Sequence, residues 1–209
     1  MITDMEMPVT TPVRLSVQEY LRQEVTALEK HEYRNGEVVG MAGGTPEHSL
    51  IIMNFGGELR NRLKGGPCRV YESNLRIHIP RDSLYTYPDL SVICGQLQLD
   101  RSDRTRTTVT NPRVLVEVLS RTTEGYDRGD KFRQYLTIDT LEEYVLVSQA
   151  LPRIETFFRQ PDGAWMFTHA MGVDAVVKIR SFGIDVPLSE TYAGIVFPPE
   201  PEPTEPQAF

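Results

Sequence analysis

Apolar positions change their spacing several times along the chain, and each change marks an element. Ser16 followed by Glu19 has the form of a capping box. Val17, Tyr20, Leu21, Val25 and Leu28 then recur on one helical face, which predicts a first helix running to Glu29. Residues 31–34 and 37–39 flank the pair Asn35-Gly36, which supplies the positive φ angles of a type I′ hairpin. Thr45 with Pro46 behind it reads as the N-cap and first position of a second helix. On that helix Ile51, Phe55, Leu59 and Leu63 share a face until Gly65-Gly66 stops it, and His48 falls in the first turn.

From Cys68 the period shortens to that of strands. Segments 69–72, 75–79 and 90–94 read as a meander, and the polar stretch 96–111, with Arg101, Arg104 and Arg106 and no period, reads as a long loop. Residues 114–119, Val-Leu-Val-Glu-Val-Leu, form a nearly continuous apolar run, the mark of a strand buried on both faces. Phe132, Tyr135 and Leu136 put a helix over 127–136, and 144–147 is again a short buried strand. Strand, helix and strand in succession imply a parallel or mixed pair at the sheet centre. Segments 153–159, 164–169 and 175–179, with a turn at Pro161-Asp162-Gly163, read as an antiparallel C-terminal appendix. The predicted class is α/β, with a mixed central sheet flanked by helices.

Two hundred and nine residues with 40% apolar content are enough for one domain with its own core. We place that domain at 12–197, between a flexible N-terminus at 1–11 and a disordered, proline- and acid-rich tail at 198–209. No apolar run approaches the roughly 18 residues that cross a bilayer, so a membrane span is not expected. Asp4 and Glu6 stand where a secretory signal carries Lys or Arg, so the cytoplasm is the expected compartment. Cys68 and Cys94 have no ligand spacing, and each is expected to be a buried, reduced thiol. The net charge of −7 argues against nucleic acid until it is located: five of the acids lie in the two tails, leaving −2 for the body. Within the body, residues 60–81 hold a local +5, either a surface that faces phosphate or a plain solvated one.

Glu117 is the most informative residue, because an ionised carboxylate inside a run of Val and Leu costs several kcal/mol unless something compensates it. A structural salt bridge and a functional site are the two readings. Asp89, after Pro88 at the start of a strand, is by itself either a turn acid or a ligand. Together, two carboxylates at the ends of neighbouring strands can hold one hard divalent cation. Lys131, on the helix after the Glu117 strand, can reach back over the strand end, or lie exposed. His48 is a candidate general acid or base, or a helix cap. There is no G-x-S-x-G elbow, no P-loop and no G-x-G-x-x-G, so serine hydrolysis and dinucleotide binding find no footing.

Three segments carry a resemblance. Pro88-Asp89, then Val114-Leu115-Val116-Glu117-Val118-Leu119-Ser120, then Tyr126-Asp127-Arg128-Gly129-Asp130-Lys131-Phe132 are similar to the putative restriction endonuclease family, a bacterial branch of the PD-(D/E)XK nuclease superfamily. The opening His31-Glu32-Tyr33-Arg34-Asn35-Gly36-Glu37-Val38-Val39, with Met41 and His48, fits the same family, and the likeness spans residues 16–197. It implies a restriction-endonuclease-like sheet, Mg²⁺ or Mn²⁺, and hydrolysis of phosphodiester bonds in DNA without an organic cofactor. By position Asp89 and Glu117 would hold the metal with Glu37 as an additional acid, and Lys131 and His48 would complete the catalytic set. The superfamily's usual lysine, two positions after the second acid, is Leu119 here, and Arg121 stands where the family commonly has Pro. The resemblance implies that Lys131 takes the lysine's place from the next helix. Cutting two strands favours two sites, hence a two-fold dimer. The rival reading is a catalytically inactive nuclease-fold binding or regulatory module; a nuclease for RNA or branched DNA is a third.

Overall fold

The computed structural model describes residues 14–41 and 43–197. The segments expected to be flexible, 1–11 and 198–209, lie outside the described residues. In chain order the elements are α1 (Val17–Glu24), β1 (His31–Arg34), β2 (Glu37–Gly40), α2 (Pro46–Arg62), β3 (Cys68–Glu72), β4 (Arg76–Ile79), β5 (Leu84–Thr86), β6 (Leu90–Cys94), β7 (Thr108–Val109), β8 (Val114–Leu119), α3 (Glu124–Arg128), α4 (Asp130–Tyr135), β9 (Glu143–Ser148), β10 (Arg153–Arg159), β11 (Trp165–Met171), β12 (Val176–Ile179), β13 (Ile184–Pro187) and α5 (Leu188–Thr191).

The local signals hold where local chemistry is strong. Ser16 and Glu19 form the reciprocal capping box of α1, and Thr45 caps α2 by accepting from the His48 N–H, with Pro46 in the first turn. Asn35 and Gly36 take φ of 45° and 101°, so β1 and β2 close as a hairpin with Arg34 opposite Glu37. The first helix, however, stops at Glu24 rather than Glu29. Val25 and Leu28, the last residues of its apolar stripe, meet no core and are exposed at 61% and 102%, so burial cannot sustain another turn.

A six-stranded sheet, ordered β11-β10-β9-β8-β6-β3, forms the centre. Its β8 and β9 run parallel, joined by α3 and α4, and the remaining neighbours are antiparallel, so the sheet is mixed. Every residue of β8 is buried. One face, carrying Val114, Val116, Val118, Val145, Val147 and Ile154, packs on α2 and on the β12–β13 hairpin. The other, carrying Leu115, Leu119, Tyr144 and Leu146, packs on α4 and on a five-stranded sheet ordered β2-β1-β5-β4-β7. No described helix is long and apolar enough to cross a membrane.

Three expectations change. The meander does not form: β3 pairs with β6, while β4 leaves for the second sheet, where β5 and β7 flank it. Most of the antiparallel appendix belongs to the main sheet, since β10 and β11 extend it from β9, and only β12 and β13 form a separate pair. Cys68 and Cys94 are not free thiols. Antiparallel register sets them directly opposite on β3 and β6, and they form a disulfide. Sequence spacing carries no sign of such a cross-strand pairing, because the partner is chosen by register.

Candidate active site

The site lies where β6 begins and β8 ends. Leu90 is paired with Val116, so Asp89, one residue earlier, comes beside Glu117. Asp89 Oδ2 accepts a hydrogen bond from the Val118 N–H at 2.7 Å, which anchors the carboxylate at the strand end. Lys131 arrives from α4 on the other side of Glu117. Its Nζ lies 2.8 Å from Glu117 Oε1, 3.2 Å from Asp127 Oδ1 and 3.5 Å from Glu32 Oε1. Asp127 and Lys131 are four residues apart on the α3–α4 segment, so one face presents both. The structure therefore brings together Asp89, Glu117 and Lys131, and places His48 at their margin: its Nε2 is 3.0 Å from Val118 O and 3.5 Å from Asp89 Oδ2.

Glu37 does not join them. It sits exposed on β2, the edge strand, next to the hairpin tip. The acid of this hairpin that reaches the cluster is Glu32, on the inner strand β1, where the side chain is covered. Thr86 donates to Glu32 Oε1 and the Arg34 Nε donates to Oε2 at 2.9 Å. The sequence does contain a clue to this choice: Glu32 and Arg34 are two apart on a strand and so share a face, a spacing that lets them pair. Tyr135 is a second residue that spacing alone passes over as a core aromatic. Its hydroxyl donates to Glu117 Oε1 at 2.7 Å.

Charge is crowded here. Burial pushes the Glu117 carboxyl up to about 8, and Asp127 and Asp89 add to the effect against the pull of Lys131. Burial works against the Lys131 ammonium as well, but Glu117, Glu32 and Asp127 outweigh it and keep the lysine protonated well above its ordinary range. Glu32 stays below the ordinary glutamate range: burial would raise it, and Lys131, Thr86 and Arg34 together hold it ionised. Its hydrogen bond to the Asp89 carboxylate raises His48, and Nε2 is the donor toward Val118 O and Asp89.

A family model described as "Putative restriction endonuclease" matches residues 17–184. The chain belongs to this family, Uma2. It is also similar to two uncharacterized proteins of Synechocystis sp. (strain ATCC 27184 / PCC 6803 / Kazusa). With slr1290 it is 38% identical over 185 residues, 88% of this chain and 94% of that one. With sll1609 it is 33% identical over 172 residues, 82% of this chain and 96% of that one. Among solved structures it resembles a putative nuclease belonging to DUF820 from Anabaena variabilis ATCC 29413. The TM-score is 0.65 at 16% identity, covering 82% of this chain and 96% of that one, which establishes a shared fold.

In this Uma2 chain the donor set suits a hard divalent cation. Asp89 Oδ1 and Glu117 Oε2 accept no hydrogen bond among the described residues, while the other oxygen of each is held in place. Burial is the main reason Glu117 is raised, and a bound cation would offset both that burial and the smaller repulsion from Asp127 and Asp89. Among the described residues no group of three or more His, Cys, Asp or Glu is placed to hold a metal ion, so the candidate ligands are the two carboxylates alone. A pair of carboxylates with open positions is the arrangement Mg²⁺ commonly uses when water and substrate phosphate complete its octahedron.

Proposed function

We propose that this Uma2 protein is a metal-dependent endonuclease that hydrolyses phosphodiester bonds in DNA. One observation carries the reading. Lys131, from a helix, puts its ammonium 2.8 Å from Glu117, the strand neighbour of Asp89, where the strand itself carries Leu119 and no lysine. Asp89 and Glu117 would hold Mg²⁺ or Mn²⁺. When bound, such an ion acidifies water and neutralises charge gathering on a scissile phosphate.

The chain's own residues do the rest. Lys131 holds positive charge where phosphate oxygens become more negative, and does so without reorganisation, since three carboxylates already fix it. Tyr135, whose phenol stays protonated because burial and then Glu117 raise it, keeps Glu117 Oε1 occupied and leaves Oε2 to face a ligand. Glu32 positions Lys131 from the second sheet, and His48 positions Asp89. Glu32 thereby ties the placement of the lysine to the packing of the two sheets.

Nicking of supercoiled plasmid in Mn²⁺, with calorimetric titration of Mn²⁺ alongside, tests the reading. The wild type should bind the ion and nick, and Glu117→Ala should do neither. Binding without nicking across duplex, branched and single-stranded DNA would make the protein a module that keeps the fold without turnover. Nicking of RNA alone would move the substrate class.

A further inference from the structure

The outer edge of the central sheet is built differently at its two ends. At one end β3 carries Arg69 and Glu72 and is stapled to β6 by the disulfide. At the other end β11, Trp-Met-Phe-Thr-His-Ala-Met, has seven residues and no Asp, Glu, Lys or Arg. Natural sheets usually guard a long edge with charge, proline or a bulge. None of these devices is present on β11.

The hydrogen-bond phase of β11 can be read from the ladder that flanks it. Gln160 N–H bonds to Ala164 O at one end of the β10–β11 pair and Gly172 N–H bonds to Pro152 O at the other. With Thr156 opposite Thr168, the even-numbered residues of β11 therefore face β10 with their backbone groups, and Trp165, Phe167, His169 and Met171 direct theirs outward. Those four residues have no backbone partner on that side among the described residues. Their side chains share one face of the sheet, and Phe167 and Met171 are 48% and 59% exposed. Val173, in the turn after β11, and Val176, on β12, are also exposed.

We propose that β11 pairs antiparallel with β11 of a second copy of this chain, about a two-fold axis at Thr168. That register is the one that aligns all seven residues, and its parity agrees with the outward groups. Phe167 then exchanges hydrogen bonds with His169 of the partner subunit and Trp165 with Met171 of the partner subunit, about eight bonds in all. The side-chain pairs are favourable, aromatic on imidazole and sulfur on indole, and no like charges meet. On the neighbouring strand Glu155 is paired with both Arg128 and Arg153, and Arg159 stacks over Trp165. Each Glu117 lies three strands from the seam, so the two carboxylate sites stand about 34 Å apart along the joined sheet.

Light scattering and sedimentation on the full chain test this independently of any nuclease activity. The wild type, 23.8 kDa per chain, should run at twice that mass at micromolar concentration. Phe167→Lys/His169→Lys, which sets ammonium groups opposite one another across the seam, should run as a folded monomer by circular dichroism. Thr168→Cys, at the non-hydrogen-bonded position on the axis, should give a covalent dimer on mild oxidation. A wild type that stays monomeric at 100 µM overturns the proposal. So does a double-lysine variant that remains dimeric, and, should that variant not fold, a Thr168→Cys variant that fails to crosslink.

Discussion

Lys131 meets Glu117 at 2.8 Å although the two belong to different elements, one on helix α4 and the other inside strand β8. The contact explains how a carboxylate persists in an aliphatic strand, and it explains the leucine at position 119. Leu119 is 5% exposed and packs with Tyr135 and Leu146, so it serves the core while the helix supplies the ammonium.

Removing the ammonium should cost both stability and activity. Lys131→Ala leaves Glu117, Glu32 and Asp127 without their shared cation, which should lower stability by roughly 3–5 kcal/mol in urea unfolding. Nicking should fall at least about 100-fold even at a temperature where circular dichroism shows the variant folded. Unchanged nicking in that variant would remove Lys131 from the catalytic set.

The choice between the two hairpin acids is equally direct. Glu32→Gln should slow nicking by roughly 10-fold or more, because the charge that steadies Lys131 is gone. Glu37→Gln, on an exposed edge position, should leave nicking unchanged and stability within about 0.5 kcal/mol. The reverse pattern would restore Glu37 as the additional acid.

The Glu117 proton makes stability depend on pH. Folded, the carboxyl releases its proton only near 8, whereas in the unfolded chain it does so near 4.5. Between those values the native state binds more protons, so the Glu117 contribution makes stability fall as pH rises through the window. Without metal, the melting temperature should drop less between pH 5.5 and 8 for Glu117→Gln than for wild type, by roughly 3–8 °C. Mn²⁺ at pH 8 should recover the loss in wild type alone. Scanning calorimetry decides, and parallel pH profiles for the two proteins would contradict the assignment.

The disulfide should matter for stability and not for the site. Cys68 and Cys94 close 26 residues of chain at the end of β3 and β6 away from Asp89. Cys68→Ala/Cys94→Ala should lower stability by roughly 2–4 kcal/mol and leave nicking within about twofold. Equal melting temperatures with and without reductant would show that the bond contributes nothing.

Short-range chemistry was legible before any fold was known. The capping box at Ser16, the Asn35-Gly36 hairpin, the cap at Thr45 and the doubly buried β8 all rest on neighbours a few residues apart, and each occurs in the structure. The expected meander and the far end of the first helix failed for a common reason. Whether β4 joins β3 or β5, and whether Val25 and Leu28 have anything to cover them, is settled by partners distant in the chain.

The chain's own order of residues settled that Glu117 needs a counter-charge, that Asp89 opens the neighbouring strand and that a lysine follows on the next helix, since burial cost and periodicity act locally. Register and sheet packing decided the remainder. They selected Glu32 over Glu37, recruited Tyr135 to Glu117, joined Cys68 to Cys94 and left the backbone of β11 facing outward. Apart from the Glu32–Arg34 spacing on β1, nothing along a single strand encodes these outcomes, because how whole sheets pack sets which segments approach one another.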